Sequence, residues 1–316
     1  MTIKAQTYKF TCRFTSEARL PGYLGSTLRG ALGWALKKTS CALRRQQCAD
    51  CLLREQCAYA WIFETERYRT GDGRAVNARP HPFVLQPGEN TAGEQKAGDE
   101  LVFSLLLLDR ANELLPQIVY AVRLMGESGI GTGRRHAMGR FTLEQVTAPG
   151  QNVYSGKNWV LRTPETPGRI QLARHDHADI SGIKIYLLTP LRLKQNNRLN
   201  LRLPFHVLVR ACLRRIAALE EAYGGGEPPL DYRGLVMRAK EVRTAEENIH
   251  WQPLFRWSNR QKQKISLAGL AGSALYQGDL AEFMPLFRYC RQVNIGKQTV
   301  FGLGKIAVQE HPFRQT

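Results

Sequence analysis

SGIGTGRRHAMGRF (residues 128–141) and NIGKQTVFGLGKI (residues 294–306) decide the fold, because the two stretches align without a gap. Ile130-Gly131 falls on Ile295-Gly296. Further on, Gly139 falls on Gly304, each followed by a basic residue (Arg140, Lys305) and an apolar one (Phe141, Ile306). Self-similarity at a fixed offset marks a duplicated architecture. Each turn follows a helical pattern, Asn112–Gly126 or Asp279–Val293, and opens a strand, near Arg140 or at Lys305–Gln309. Working outward, the first half predicts a strand (Ile3–Phe14), a helix (Thr27–Lys38), a cysteine-rich insert, a strand near Tyr59–Thr65 and a strand at Leu101–Leu108. The second half predicts a strand (Ile183–Leu188), a helix (Pro204–Tyr223) and strands around Gly234–Arg243 and Lys264–Tyr276. Both halves spell βαββαβ, the ferredoxin-like order. The expected fold class is therefore α+β, with tandem ferredoxin-like, RRM-like domains at 1–147 and 182–316. Between them the Pro- and Gly-punctuated stretch 148–181 reads as a linker with a short hairpin, and Pro87–Asp99 as a further loop.

With 316 residues, 43% of them hydrophobic, the chain has ample material for two cores. No apolar run approaches the roughly 20 residues that a membrane span needs; the longest, around Leu105–Leu108, ends at Asp109. The start, MTIKAQTYKFTCRF, alternates like a strand and shows no secretory leader, so a cytoplasmic protein is expected. Against 27 acidic residues stand 45 basic ones, a net charge of +18, which attracts polyanions. From Ser181 to Leu219 there are eight basic residues and no acidic one. Nucleic acid is the partner this pattern points to.

Cys41, Cys48, Cys51 and Cys57 form C-x6-C-x2-C-x5-C in an insert at about 39–64. Four thiolates at such spacing suit a closed tetrahedral Zn site of structural kind, with an iron-sulfur cluster the next reading. Cys12, Cys212 and Cys290 fall on apolar faces and read as core.

The glycine-rich turns let backbone N–H groups approach a phosphate, with Arg134, Arg135 and Arg140 supplying charge in the first. Neither is a Walker or dinucleotide-binding fingerprint. In LRGALGWALKK one helical face is apolar, while Arg29, Gly33 and Lys37 make a basic stripe on the other, leaving a spot where another backbone can come close. His206, Arg210 and Arg214 make the analogous stripe on the second-half helix.

These features resemble the CRISPR precursor-RNA processing endoribonucleases of the RAMP superfamily, the Cas six family. The residues that carry the resemblance are LRGALGWALKK, the four-cysteine insert closing in CAYAWIFET, LLTPLRLKQNNRL running into FHVLVRACLRRIAALEEAYG, RWSNRQKQKISLAGLAG and NIGKQTVFGLGKI, which together span most of the chain. The resemblance implies two RAMP folds, binding of CRISPR repeat RNA, and cleavage within the repeat that needs no metal and leaves a 5′-hydroxyl and a 2′,3′-cyclic phosphate. In-line attack by a 2′-oxygen calls for a base, an acid and cations on the phosphorane. In the family a Tyr, a His and a Lys around the first helix fill these roles, which points here to Tyr23 at its start and Lys37 and Lys38 at its end. No histidine lies between Met1 and Glu64, so His136, in the first glycine turn opposite Phe301, is the candidate for acid-base work near neutrality. Phosphate contacts are expected from Arg29, Arg134, Arg135, Arg192, Lys194, Arg256, Arg260, Lys262 and Lys297, and base stacking from Tyr23 or Trp257. Two other readings compete: a RAMP subunit of a CRISPR effector complex that binds crRNA without cutting it, and a zinc-containing DNA-binding regulator.

Overall fold

The computed structural model describes residues 2–43, 46–69, 75–88, 92–133, 136–162, 164, 168–173, 180–193, 202–258 and 262–310. The chain is a mixed α+β fold in two compact units, Ile3–Arg169 and a second from Ile170 onward. Among the described residues no helix is long and apolar enough to cross a membrane.

The N-terminal unit runs β1 (Thr2–Phe14), β2 (Ala18–Leu20), α1 (Gly25–Ser40), α2 (Ala58–Phe63), β3 (Glu66–Arg69), β4 (Ala75–Ala78), β5 (Phe83–Pro87), β6 (Gly93–Gln95), β7 (Glu100–Leu108), α3 (Leu115–Ser128), β8 (Phe141–Ala148), β9 (Gln151–Ser155), β10 (Val160–Leu161) and β11 (Arg169–Gln171). Its sheet has the order β10-β9-β8-β1-β7-β5, with β1 antiparallel to both β7 and β8. Alternation along β1 buries Tyr8, Phe10, Cys12 and Phe14 on one face, and Phe10 stacks on its cross-strand partner Phe103 at 5.0 Å. α1 and α3 pack together over their buried leucine, alanine and valine faces.

The C-terminal unit runs β12 (Gly182–Leu191), α4 (Phe205–Tyr223), α5 (Tyr232–Arg238), β13 (Arg243–Gln252), β14 (Phe255–Ser258), β15 (Gln263–Ser266), β16 (Gly269–Gln277), α6 (Met284–Val293) and β17 (Ile306–Glu310). Its sheet order is β13-β16-β12-β17. Numbered within each half, both sheets place the four main strands fourth, first, third, second. Pro204 precedes α4 and Gly224 ends it. Phe205 on α4 packs within 5.0–5.6 Å of Tyr276, Phe283 and Phe287.

Two expected strands lie elsewhere. Tyr59–Thr65 is mostly helix α2, because Tyr59 and Phe63, one turn apart, stack at 5.6 Å; the strand that completes the half is β5. The first half of Gly234–Arg243 is helix α5, started by the Asp231 side chain accepting from the Gly234 N–H, and the strand is β13. The expected strand Lys264–Tyr276 is two, β15 and β16. Within the stretch read as a linker, β9 and β10 extend the N-terminal sheet, and β6 in the second expected loop pairs with β2.

The duplication holds to the level of single hydrogen bonds. The Ile130 N–H donates to Gly139 O at 2.9 Å and Ile295 to Gly304 at 2.9 Å; Thr132 donates to Arg19 O at 3.0 Å and Lys297 to Arg192 O at 3.1 Å. Gly139 and Gly304 donate in turn to Glu17 O and Pro190 O.

Candidate nucleic-acid interface

The glycines of the two turns are explained by backbone crossing backbone. Gly139 (φ +72°) and Gly304 (φ +71°) sit where a Cβ would stand 1.9 Å from Ile130 O and 1.8 Å from Ile295 O. The N–H groups of Ile295, Lys297 and Gly304 are all engaged by protein carbonyls and are not open to an anion. In the first turn His136 is exposed and its N–H donates to Gly133 O at 2.8 Å; Arg134 and Arg135 lie outside the described residues.

In the C-terminal unit the second turn and α4 enclose a cavity of about 340 Å³. Arg192, Arg210, Arg214, Arg215 and Lys297 line it, between Leu193, Val207, Ala211 and Ala218, and among the described residues no carboxylate does. Helical spacing of Arg210 and Arg214 sets them one turn apart on one face. Arg192 reaches the site from the end of β12, its Nη1 donating to Ser266 O at 2.6 Å. Arg215 is held against the end of α6, its Nη2 donating to Val293 O at 2.9 Å, and burial pulls its pKa below the usual guanidinium value. Five cations within one small cavity repel one another until an anion enters. Four of them were expected contacts and the cavity gathers them. Arg215 was missed, because it lies off the stripe of Arg210 and Arg214; the Arg214-Arg215 pair was its only signal. His206, one turn before Arg210, is half-buried, and its pKa is lowered first by burial and then by Arg210 and Lys240, which favours the neutral ring. Lys194 lies outside the described residues.

Beside this cavity stands the β14-β15 hairpin. Trp257 pairs with Lys264 across it and is 64% exposed. Phe255 is also exposed, with Lys264 Nζ 4.4 Å from its ring centre. On the other side Arg256 lies 5.0 Å over the ring of Phe301 in the glycine turn, and burial lowers its pKa. Lys262 is exposed at the hairpin tip; Arg260 lies outside the described residues.

The N-terminal stripe is arranged differently. Arg29 lies 5.0 Å from the centre of the Phe63 ring and Lys37 Nζ 5.2 Å from that of Tyr59. A Cβ at Gly33 would meet Phe63 Cε1 at 3.2 Å. What approaches Gly33 is therefore an aromatic ring from α2. The Tyr59 hydroxyl donates to Glu64 Oε1 at 3.1 Å. Lys38 lies 5.2 Å over Trp34. Tyr23 is half-buried, and burial pushes its phenol up, which keeps it protonated.

Of the cysteines, Cys41 caps α1 with its N–H on Lys37 O, and Cys57 precedes α2 with its thiol 4.0 Å from Ser40 O. Arg54 ties the insert together by donating to Cys48 O and Glu64 O at 3.2 Å each. All four thiols are half-buried. Yet among the described residues no group of three or more Cys, His, Asp or Glu side chains is arranged to hold a metal ion. The donor set has the right chemistry for zinc, but its side chains are not gathered.

The fold and the cavity together describe an α+β protein with a cation-lined cavity on its second unit. Residues 185–306 match the family of the CRISPR-associated endoribonuclease Cas6, and residues 3–166 match a family described only as an N-terminal domain. The Cas6 match covers the C-terminal part of the chain, and the whole chain shares the fold of solved Cas6 structures. Among solved structures it is similar to Thermus thermophilus Cas6 (TM-score 0.54, 13% identity, covering 97% of this chain and 99% of that one) and to a Cas6 product complex (0.55, 15%, 97% and 99%). It is also similar to part of a Cas6-RT-Cas1–Cas2 complex (0.56, 11%), covering 98% of this chain and 46% of that one. At such identities the likeness is one of fold. No curated protein matches the chain.

Proposed function

We propose that this protein binds CRISPR repeat RNA and cleaves precursor crRNA within the repeats by attack of a 2′-hydroxyl, leaving a 2′,3′-cyclic phosphate and a 5′-hydroxyl and needing no metal for the chemistry. The observation that carries the RNA reading is the cavity of α4 and the glycine turn, whose described charged lining is cationic throughout, within the stretch 185–306 that matches the Cas6 family. Solved relatives described as a Cas6 product complex and as a Cas6-RT-Cas1–Cas2 complex support RNA and other CRISPR subunits as partners. In this reading the two units are tandem ferredoxin-like RAMP domains, and Arg192, Arg210, Arg214, Arg256, Lys262 and Lys297 hold phosphates. Tyr23, Lys37 and Lys38 around α1, and His136 in the first turn, are the proposed catalytic groups. His136 is exposed, so its ring is open to a substrate. Lysines supply charge to the phosphorane.

The test is incubation with the cognate repeat RNA in EDTA, beside a copy with a 2′-deoxy substitution at the scissile nucleotide. Cutting of the first alone is expected; cutting of both overturns the 2′-hydroxyl mechanism. A second reading, an RNA-binding subunit that does not cut, is favoured by the absence of any histidine between Met1 and Glu64, and binding without cleavage would establish it. Structural zinc on Cys41, Cys48, Cys51 and Cys57 is proposed from their C-x6-C-x2-C-x5-C spacing. Metal analysis of the purified protein decides it: one zinc per chain is expected, and iron with a visible charge-transfer band would replace zinc by a cluster.

A further inference from the structure

We propose that the cavity between α4 and the second glycine turn seats one unpaired nucleotide of the bound RNA and selects a keto base, guanine ahead of uracil. The inference rests on the RNA reading above and adds to it a specificity. At about 340 Å³ the cavity lies at the small end of ligand pockets. It has room for a single nucleotide and none for a duplex. Its walls offer both surfaces that a nucleotide needs: Val207 and Ala211 are apolar, and the arginines and Lys297 are cationic.

The selection follows from the polar groups of the described lining. Among these residues every polar side chain is a guanidinium or an ammonium, groups that only donate hydrogen bonds. Guanine presents two acceptors, N7 and O6, on its Hoogsteen edge, the pair that an arginine fork matches. Uracil offers O4. Adenine and cytosine place an amino group in the equivalent position, where a donor would face donors and a buried N–H would go unpaired. Two of the forks are fixed in advance, Arg192 on Ser266 O and Arg215 on Val293 O, so little side-chain freedom is lost when the base enters. The low pKa that burial gives Arg215 agrees with a cation that awaits a partner of opposite charge or strong acceptors.

The experiment is calorimetric titration of the whole protein with guanosine 5′-monophosphate, its 7-deaza analogue, adenosine 5′-monophosphate and inorganic phosphate, with repeat RNA titrated in parallel in the same buffer. Guanosine monophosphate is expected to bind about tenfold or more tighter than the adenosine nucleotide, as one bidentate pair allows. Loss of N7 in the deaza analogue is expected to remove most of that difference, and Arg215→Gln, at a fork assigned no phosphate, to remove it in the variant. Equal affinity for the two nucleotides, or phosphate alone binding as well as either, overturns the base selection while RNA binding stands. No response to guanosine monophosphate at millimolar concentration, with RNA still bound, overturns the nucleotide seat. Loss of RNA binding altogether overturns the broader reading, whatever the mononucleotides do.

Discussion

The two units carry the same helix-turn arrangement and use it differently. On α1 the stripe of Arg29, Gly33 and Lys37 lies under Tyr59 and Phe63 of α2; on α4 the stripe of His206, Arg210 and Arg214 borders an open cavity. The difference comes from the cysteine-rich insert, which ends in α2 and has no counterpart in the second half. Cations over aromatic rings are partly satisfied and gain little from a new partner. Cations crowded together without a carboxylate gain much. Duplication therefore leaves one basic stripe set against aromatic rings, where Lys37 is the proposed catalytic charge, and the other bordering a cavity.

The largest effect expected tests what the halves share. Gly139→Ala and Gly304→Ala each place a Cβ within 2 Å of a carbonyl oxygen at positive φ, and each is expected to cost about 2 kcal/mol or more in denaturant unfolding. A cost in one turn only would break the equivalence of the two. Next comes the contrast itself. Arg210→Gln with Arg214→Gln is expected to weaken RNA binding roughly tenfold or more and to reduce the salt slope by about 2, whereas Arg29→Gln should change affinity by less than about threefold. Fluorescence anisotropy across a salt series reads both, and equal losses would dissolve the distinction.

A smaller effect concerns the C-terminal core. Glu220 is fully buried, with Tyr289 donating to one carboxylate oxygen at 3.0 Å and no hydrogen bond to the other among the described residues. Burial raises its pKa, and the Tyr289 hydrogen bond only partly offsets this. A carboxyl that holds its proton more tightly when folded contributes stability that is full below the unfolded value of about 4.3 and is lost as pH rises through the folded value. Glu220→Gln should therefore match the wild type in acid and become the more stable protein toward neutral pH, in urea titrations at several pH values. A constant difference with pH would place the carboxylate's cost elsewhere.

The smallest effect probes the covered stripe. Gly30 on α1 has nothing within 4 Å of its Cβ position, so Gly30→Ala should stabilise by about 0.5–1 kcal/mol through helix propensity. Gly33→Ala, with Phe63 at 3.2 Å, is expected to forfeit that gain and end slightly less stable than the wild type in thermal unfolding. If both substitutions stabilise equally, Phe63 yields freely and the covering of the stripe is loose.

The sequence by itself determined the element order, the duplication and the basic partner-seeking character. These are written in local patterns: alternation along β1, apolar spacing along α4, and glycines whose positive φ a turn demands. Its misplaced strands, near Tyr59 and Gly234, fall where short segments take their conformation from contacts, the Tyr59–Phe63 stack on α1 and the Asp231 cap. Only the tertiary structure decided which of two equal-looking stripes is open, which backbone amides of the glycine turn are already spent, and that Arg192, Arg215 and Lys297, far apart in sequence, close one cavity with Arg210 and Arg214. The physical reason is that periodicity fixes the face on which a side chain stands, while its partner is chosen by what the rest of the chain brings against that face.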